Sequence, residues 1–304
     1  MRIKQLRLDL QNIRKEFNKT VAVDSLNLSI PEGTVFGLVG PNGAGKTTTI
    51  RMIMDILQPD SGTILFNGNP IGAADLPKIG YLPEERGLYR KMKLLDTIVY
   101  FGTLKGLSKA VSKQRSERYL DRFNLNDYAN RKIEELSKGN QQKVQFIIAI
   151  LHDPDLVILD EPFAGLDPVN QMILKELITE FHNAGKTIVF STHQMEQVEK
   201  LCHDVCMIHQ GQRVLYGNLK EIKKNYGIRK FRIQYEGNEK AVSEITNAEW
   251  TVTHDSISGD LASGLEINDV LQQIISEVTI THVDISEPSL EQIFIDLVKG
   301  GNGA

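Results

Sequence analysis

The run Gly40-Pro41-Asn42-Gly43-Ala44-Gly45-Lys46-Thr47-Thr48 has the residue types and spacing that hold a phosphate chain. It fits G-x-x-x-x-G-K-[ST], the P-loop or Walker A pattern, of which chance gives roughly 0.01 matches in a chain this long. Gly40, Gly43 and Gly45 let backbone N–H groups converge on one hollow. A helix starting near Gly45 would turn its positive end toward the same hollow. Lys46 supplies a cation for β- and γ-phosphates, and the Thr47 hydroxyl suits Mg²⁺.

A second set lies downstream. Asp160 and Glu161 follow the apolar run Leu156-Val157-Ile158-Leu159, which reads as a buried parallel strand. Adjacent acids at a strand end are ordinarily loop residues, but a phosphate loop in the same chain reverses those odds. Asp160 can then hold Mg²⁺, and Glu161 can accept a proton from attacking water. Residues 187–191 read as another buried strand, ending at Thr192-His193. His193 thus sits on the same strand edge, where it could hydrogen-bond a γ-phosphate.

Other residues carry two readings each. Phe17 could stack on a base or pack as a strand-end core aromatic. Glu84 and Glu85 read as a solvated loop after the short strand at residues 79–82. Ser137 is an N-cap for the helix over 144–151, and that helix start could also receive an anion. Cys202, His203, Cys206 and His209 match no zinc interval, so the cysteines read as buried and structural.

The elements that must position these groups are legible from periodicity. Strands are expected at 8–17 and 21–30, and a hairpin edge closed by Asn67-Gly68. Residues 88–151 turn helical. After residue 225 the texture changes to a βα alternation, with strands near 231–235, 250–252 and 278–283. Helices are expected at 240–245 and 268–276, and from Ser289, with Gln292 completing a capping box and Leu290, Ile293, Phe294, Leu297 and Val298 as the apolar face. The expected domains are therefore 1–225 and 226–304, the second a small α/β unit of ferredoxin-like type.

Composition narrows the class. A net charge of −4 argues against a general nucleic-acid binder, and two cysteines imply no disulfide framework. The first residues lead into no apolar core region, so no signal peptide is expected, and no run approaches a membrane span.

Residues 40–48, 136–143, 156–161, 165–167 and His193 stand in the order and spacing of an ABC-type ATP-binding cassette. The chain resembles that family over about residues 8–225. The loop at 81–86 and the segment Glu287-Pro288-Ser289-Leu290-Glu291-Gln292-Ile293-Phe294 resemble ATP-binding subunits of ABC-2-type exporters, in the sodium-exporter-like branch. The resemblance implies an α/β fold, a P-loop NTPase core with an antiparallel β subdomain and a helical insert. It implies ATP and Mg²⁺ as ligands, with Thr47, Glu84 and Asp160 at the metal, Glu161 as general base, His193 at the γ-phosphate and Phe17 on adenine. Ser137 and Gly139 would close on ATP held by a second subunit, and Asp167 would link the two sites of a head-to-tail homo- or heterodimer. A polytopic membrane permease would be the partner, placing the chain in the cytoplasm against the inner face of the cell membrane. The alternative is an ABC-type ATPase or nucleotide-dependent regulator not coupled to transport.

Two departures from the family pattern stand out. The signature reads Leu136-Ser137-Lys138-Gly139-Asn140 in place of Leu-Ser-Gly-Gly-Gln, and Glu84 replaces a Gln. Lys138 adds a tolerable cation and Asn140 a shorter amide. The Glu84 carboxylate can ligate Mg²⁺ but adds negative charge beside the phosphates. Neither change removes Lys46, Glu161 or His193, so hydrolysis is expected.

Overall fold

The computed structural model describes residues 5–85, 87–226, 229–237, 239–245, 250–261 and 266–301. The chain divides into two units between Gly217 and Asn218, and not at the 225/226 boundary expected from the change in sequence texture. The reason is a helix at Leu219–Tyr226 that belongs to the second unit.

The first unit opens with β1 (Leu6–Phe17) and β2 (Thr20–Pro31), paired antiparallel. Asn18 and Lys19 between them have φ of 45° and 72°, the two-residue turn whose twist suits a hairpin. β3 (Val35–Val39) is buried at every position and leads through the phosphate loop into α1 (Lys46–Ile53). β4 (Ser61–Phe66) and β5 (Asn69–Pro70) close over Asn67-Gly68 as expected, and β4 pairs with β1. The helical segment follows β6 (Ile79–Leu82) and contains α2 (Leu94–Leu104), α3 (Lys109–Arg122) and α4 (Lys138–Ile150). The unit ends with β7 (Leu156–Asp160), α5 (Pro168–Asn183), β8 (Thr187–Thr192), α6 (Met195–Leu201), β9 (Asp204–His209) and β10 (Gln212–Asn218).

These strands form a four-stranded sheet, β2-β1-β4-β5, and a six-stranded sheet, β10-β9-β3-β8-β7-β6. The pairs β9–β3, β3–β8, β8–β7 and β7–β6 are parallel. One apolar cluster joins Leu8, Leu10 and Ile64 of the first sheet to Phe36, Leu38 and Ile158 of the second and to Ile50 of α1. β3, β7 and β8 have no exposed residue and pair in parallel, so their C-terminal ends emerge on one edge, where ligands bind in open α/β sheets.

The second unit contains α7 (Leu219–Tyr226), β11 (Arg229–Gly237), α8 (Glu239–Ile245), β12 (Thr251–Val252), β13 (Ser256–Leu261), α9 (Ile267–Ile274), β14 (Val278–Ser286) and α10 (Leu290–Gly301). Its antiparallel sheet runs β12-β13-β11-β14. The β-α-β-β-α-β succession is the ferredoxin-like arrangement expected for this part of the chain. β13 is the strand that periodicity did not find, because Ser-Ile-Ser-Gly-Asp-Leu is polar and carries a glycine. A Cβ on Gly259 would lie 2.5 Å from Trp250 Cδ1. The bare position lets that indole rest on the sheet, edge-on to Phe231 at 5.1 Å between centroids.

Ser289 Oγ accepts from the Gln292 N–H at 3.1 Å, one half of the expected capping box, and the Gln292 amide donates to Asp296 at 2.8 Å. Of the apolar face expected on α10, Leu290 and Ile293 are fully buried while Leu297 is exposed. Cys206 is buried in β9, Cys202 follows α6, and both are free. Burial pushes the Cys206 thiol up to about 12, which makes it inert at neutral pH. Among the described residues no cluster of three or more His, Cys, Asp or Glu could hold a metal, and no helix is long and apolar enough to cross a membrane.

Candidate active site

Sheet register brings the two separate sequence motifs together. Val39 of β3 lies beside Thr192 of β8, and Asp160 of β7 lies beside Ser191 of β8. The phosphate loop leaves β3 and the acid pair leaves β7 on the same edge. Ala22, residues 42–48, Glu84 and Glu161 line a cleft there of about 210 Å³.

The loop's path depends on two glycines. At Gly40 (φ 156°) a Cβ would stand 2.2 Å from the Ile208 carbonyl oxygen, and at Gly45 (φ 107°) 2.4 Å from that of Ala22. Both obstacles are backbone, so no side chain fits. Gly45 is the N-cap of α1 and offers no side-chain acceptor, which leaves the first helical N–H groups directed at the cleft. Lys46 is buried and donates to the carbonyls of Gly40 at 2.7 Å and Pro41 at 3.1 Å. Its Nζ is 3.7 Å from Glu161 Oε1. Burial lowers the Lys46 pKa, and the charges of Glu161, Asp160 and Glu84 push it back up.

Glu161 is held from several sides. Its φ is 48°, a left-handed conformation uncommon for glutamate, and its N–H is fixed by the carbonyl and hydroxyl of Ser191. Its Oε1 lies 3.0 Å from His193 Nδ1 and its Oε2 accepts from the Thr192 hydroxyl at 3.3 Å. Asp160 is fully buried, and its Oδ1 accepts from the Ser191 hydroxyl. Burial raises the Asp160 pKa, opposed by the hydroxyls of Ser191 and Thr47.

A divalent cation fits this donor set. Asp160 does not itself line the cleft, but its buried Oδ2 lacks a hydrogen-bond partner of normal geometry, and Thr47 and Glu84, which act on Asp160 and do line the cleft, offer hard oxygens. The raised pKa also carries a stability sign. The folded protein binds a proton at Asp160 more tightly than the unfolded chain, so this group costs stability as pH rises through the interval above 3.8. Asp160→Asn should therefore raise the thermal midpoint of the protein at neutral pH, with the difference shrinking in acid. Differential scanning calorimetry at two pH values checks this, and the same variant should lose Mg²⁺-dependent turnover.

The remaining expected residues stand apart from the cleft lining. Phe17 ends β1 and is 45% exposed, with Lys15 Nζ 5.7 Å from its ring centroid, so it does not pack as a core aromatic. Ser137 caps α4 by accepting from the Asn140 N–H, and Gln141 holds the Leu136 carbonyl at 3.1 Å. Gly139 lies against the Gly165 turn, where a Cβ would come within 3.3 Å of a carbonyl. Asp167 caps α5 through the Asn170 N–H, and these bonds hold its carboxyl below the usual range. None of Phe17, Ser137, Gly139 or Asp167 lines the cleft of its own chain. Ser191 and Thr192 escaped sequence reading as site residues. The sequence marks them only as the polar end of β8; their role comes from register with β7 and β3.

Family comparison agrees with this geometry. The family model described as ABC transporter matches residues 23–164, and that of the ATP-binding protein DrrA1-3-like C-terminal domain matches residues 217–298. The uncharacterized ABC transporter ATP-binding protein YhaQ of Bacillus subtilis (strain 168) is 44% identical over 292 residues, covering 96% of this chain and 98% of that protein. The chain belongs to the ABC transporter ATP-binding proteins. The Nod factor export ATP-binding protein I of Cupriavidus metallidurans is 36% identical over 218 residues, covering 71% of this chain and 72% of that protein. A solved structure of the ATP-binding subunit of an ABC transporter superposes with a TM-score of 0.68 at 30% identity, covering 72% of this chain and 92% of that one. This ABC transporter ATP-binding subunit binds and hydrolyses ATP as the energy-coupling part of a transporter, and such subunits work with membrane permease subunits. The second family match begins at residue 217, where the two units divide.

Proposed function

We propose that this chain drives an exporter, and that it does so as a head-to-tail dimer with composite ATP sites. The observation that carries the reading is Glu161 Oε1, held between Lys46 Nζ at 3.7 Å and His193 Nδ1 at 3.0 Å at the mouth of the phosphate loop. Lys46 and the N–H groups of residues 43–47 would hold the β- and γ-phosphates. Glu161 would take the proton of the attacking water, and His193 would orient that carboxylate and bond the γ-phosphate. Thr47, Asp160 and Glu84 would hold Mg²⁺, whose charge would offset that on the phosphates. Phe17 would stack on the base.

Ser137, Gly139 and Asp167 do their work in the second site of the dimer. Each γ-phosphate would gain contacts from the opposite subunit, and only such differential contact can shift an equilibrium toward the closed pair. Export and attachment to the inner membrane face through a permease rest on the relative named for Nod factor export and on the sequence resemblance.

The test uses the separation of Ser137 from its own cleft. Ser137→Glu adds a carboxylate that meets the partner's γ-phosphate and repels it, an effect worth several kcal/mol between like charges. Turnover should fall by at least about 10-fold, while ATP binding to the monomer stays unchanged. Phosphate release and binding of a fluorescent ATP analogue measure the two. Full turnover in Ser137→Glu would rule the composite site out.

A further inference from the structure

Glu84 faces the phosphate cleft from a loop that has no helix or strand of its own. What fixes it acts on the next residue. From α4, Gln145 Nε2 donates to the Glu85 carbonyl at 3.0 Å. From α1, Arg51 pairs with the Glu85 carboxylate at 3.1 Å. The two anchors differ in strength. The Glu85 side chain is 83% exposed, so its ion pair with Arg51 contributes little. Gln145 is 4% exposed, and a buried amide bonded to a main-chain carbonyl is costly to break. The loop's place is therefore set from α4.

That helix is the one whose first turn carries Ser137 and Gly139. Residues 137 and 145 lie on one rigid element, two turns apart. One side chain thus links the helix that would close on the partner's ATP with the backbone next to Glu84. An interior amide is an expensive choice if packing alone were needed.

We propose that Gln145 is a positioning residue for the ATPase reaction. Its grip on the Glu85 carbonyl sets where the Glu84 carboxylate stands in the phosphate cleft, and makes that position follow α4. The proposal rests on the reading that Glu84 takes part in turnover. Small misplacements of a reacting group are enough to slow a reaction strongly.

A double-mutant cycle tests it on the full chain with MgATP. Gln145→Met keeps length and volume but removes the donor. It should lower kcat about 5-fold, the scale of one lost hydrogen bond, and leave the Kd for a fluorescent ATP analogue within about twofold. In the Glu84→Ala background the same substitution should change kcat by less than about twofold, because the group it positions is gone. Gln145→Asn keeps the amide but withdraws it by one methylene. It should reproduce the pattern, and it carries the test should Gln145→Met not fold. An equal loss in both backgrounds, a parallel loss of ATP affinity, or no loss at all would overturn the proposal while leaving Glu84 in the site. If Glu84→Ala alone turns over as fast as the parent, the role of Glu84 falls, and the positioning role with it.

Discussion

Glu161→Gln is expected to lower ATP turnover by at least about 100-fold, the scale of a lost general base, and to leave ATP affinity within a few-fold. The amide has the shape of the carboxylate, so the left-handed backbone at this position and its bonds to Ser191 are kept. What is lost is the ability to take a proton at Oε1, between His193 and Lys46. Because binding survives and hydrolysis does not, the closed pair should accumulate. Gel filtration with MgATP should show a dimer for Glu161→Gln and a shorter-lived one for the parent. A variant that stays monomeric, beside a parent with normal turnover, would defeat the dimer mechanism. Normal phosphate release by the variant would remove Glu161 from its assigned role.

Lys46→Ala should weaken ATP binding by about 10- to 100-fold, since a hydrogen bond to a charged group contributes about 1.5–3 kcal/mol. The loss has a second source. Without the ammonium, Glu161, Asp160 and Glu84 face the phosphates with one cation fewer. Lys46→Arg should rescue poorly, because the Nζ donates to the Gly40 and Pro41 carbonyls in a buried space that a planar guanidinium does not match. The pH dependence has a definite sign. Burial lowers the Lys46 pKa below 10.5, so the ammonium loses its proton at lower pH than a free lysine. ATP affinity of the parent should fall on that alkaline limb, and the limb should be missing in Lys46→Ala. Titrations with a fluorescent ATP analogue at stepped pH measure both. Unchanged phosphate release in Lys46→Ala would take the phosphate loop out of the reaction.

The parts of this site legible in the residues are those with a local rule. A phosphate loop is written in consecutive positions, and residues 40–48 could be read at once. Asp160 and Glu161 were legible because a run of apolar residues leaves a strand no exposed face, and its end must carry the chemistry. Ser191 and Thr192 were not, because their role comes from register with β7 and β3, which no stretch of the chain encodes alone. Gln145 and Arg51 were missed for the same reason: each meets Glu85 from a distant part of the sequence. In the second unit the outer elements were legible by alternation and capping. β13 was not, since its Gly259 answers to Trp250 across the sheet and not to any neighbour in sequence. The 225/226 boundary failed because α7 resembles a continuation of the preceding texture, yet folds with the C-terminal unit.

The indole that lies over Gly259 is the only tryptophan in the chain. Light absorbed selectively by tryptophan is therefore emitted from the C-terminal unit alone. A shift in that emission colour on melting or in denaturant times the loss of the ferredoxin-like sheet, while phosphate release times the loss of the nucleotide-hydrolysing unit. The two halves of the molecule can thus be followed separately in one cuvette, with no label added.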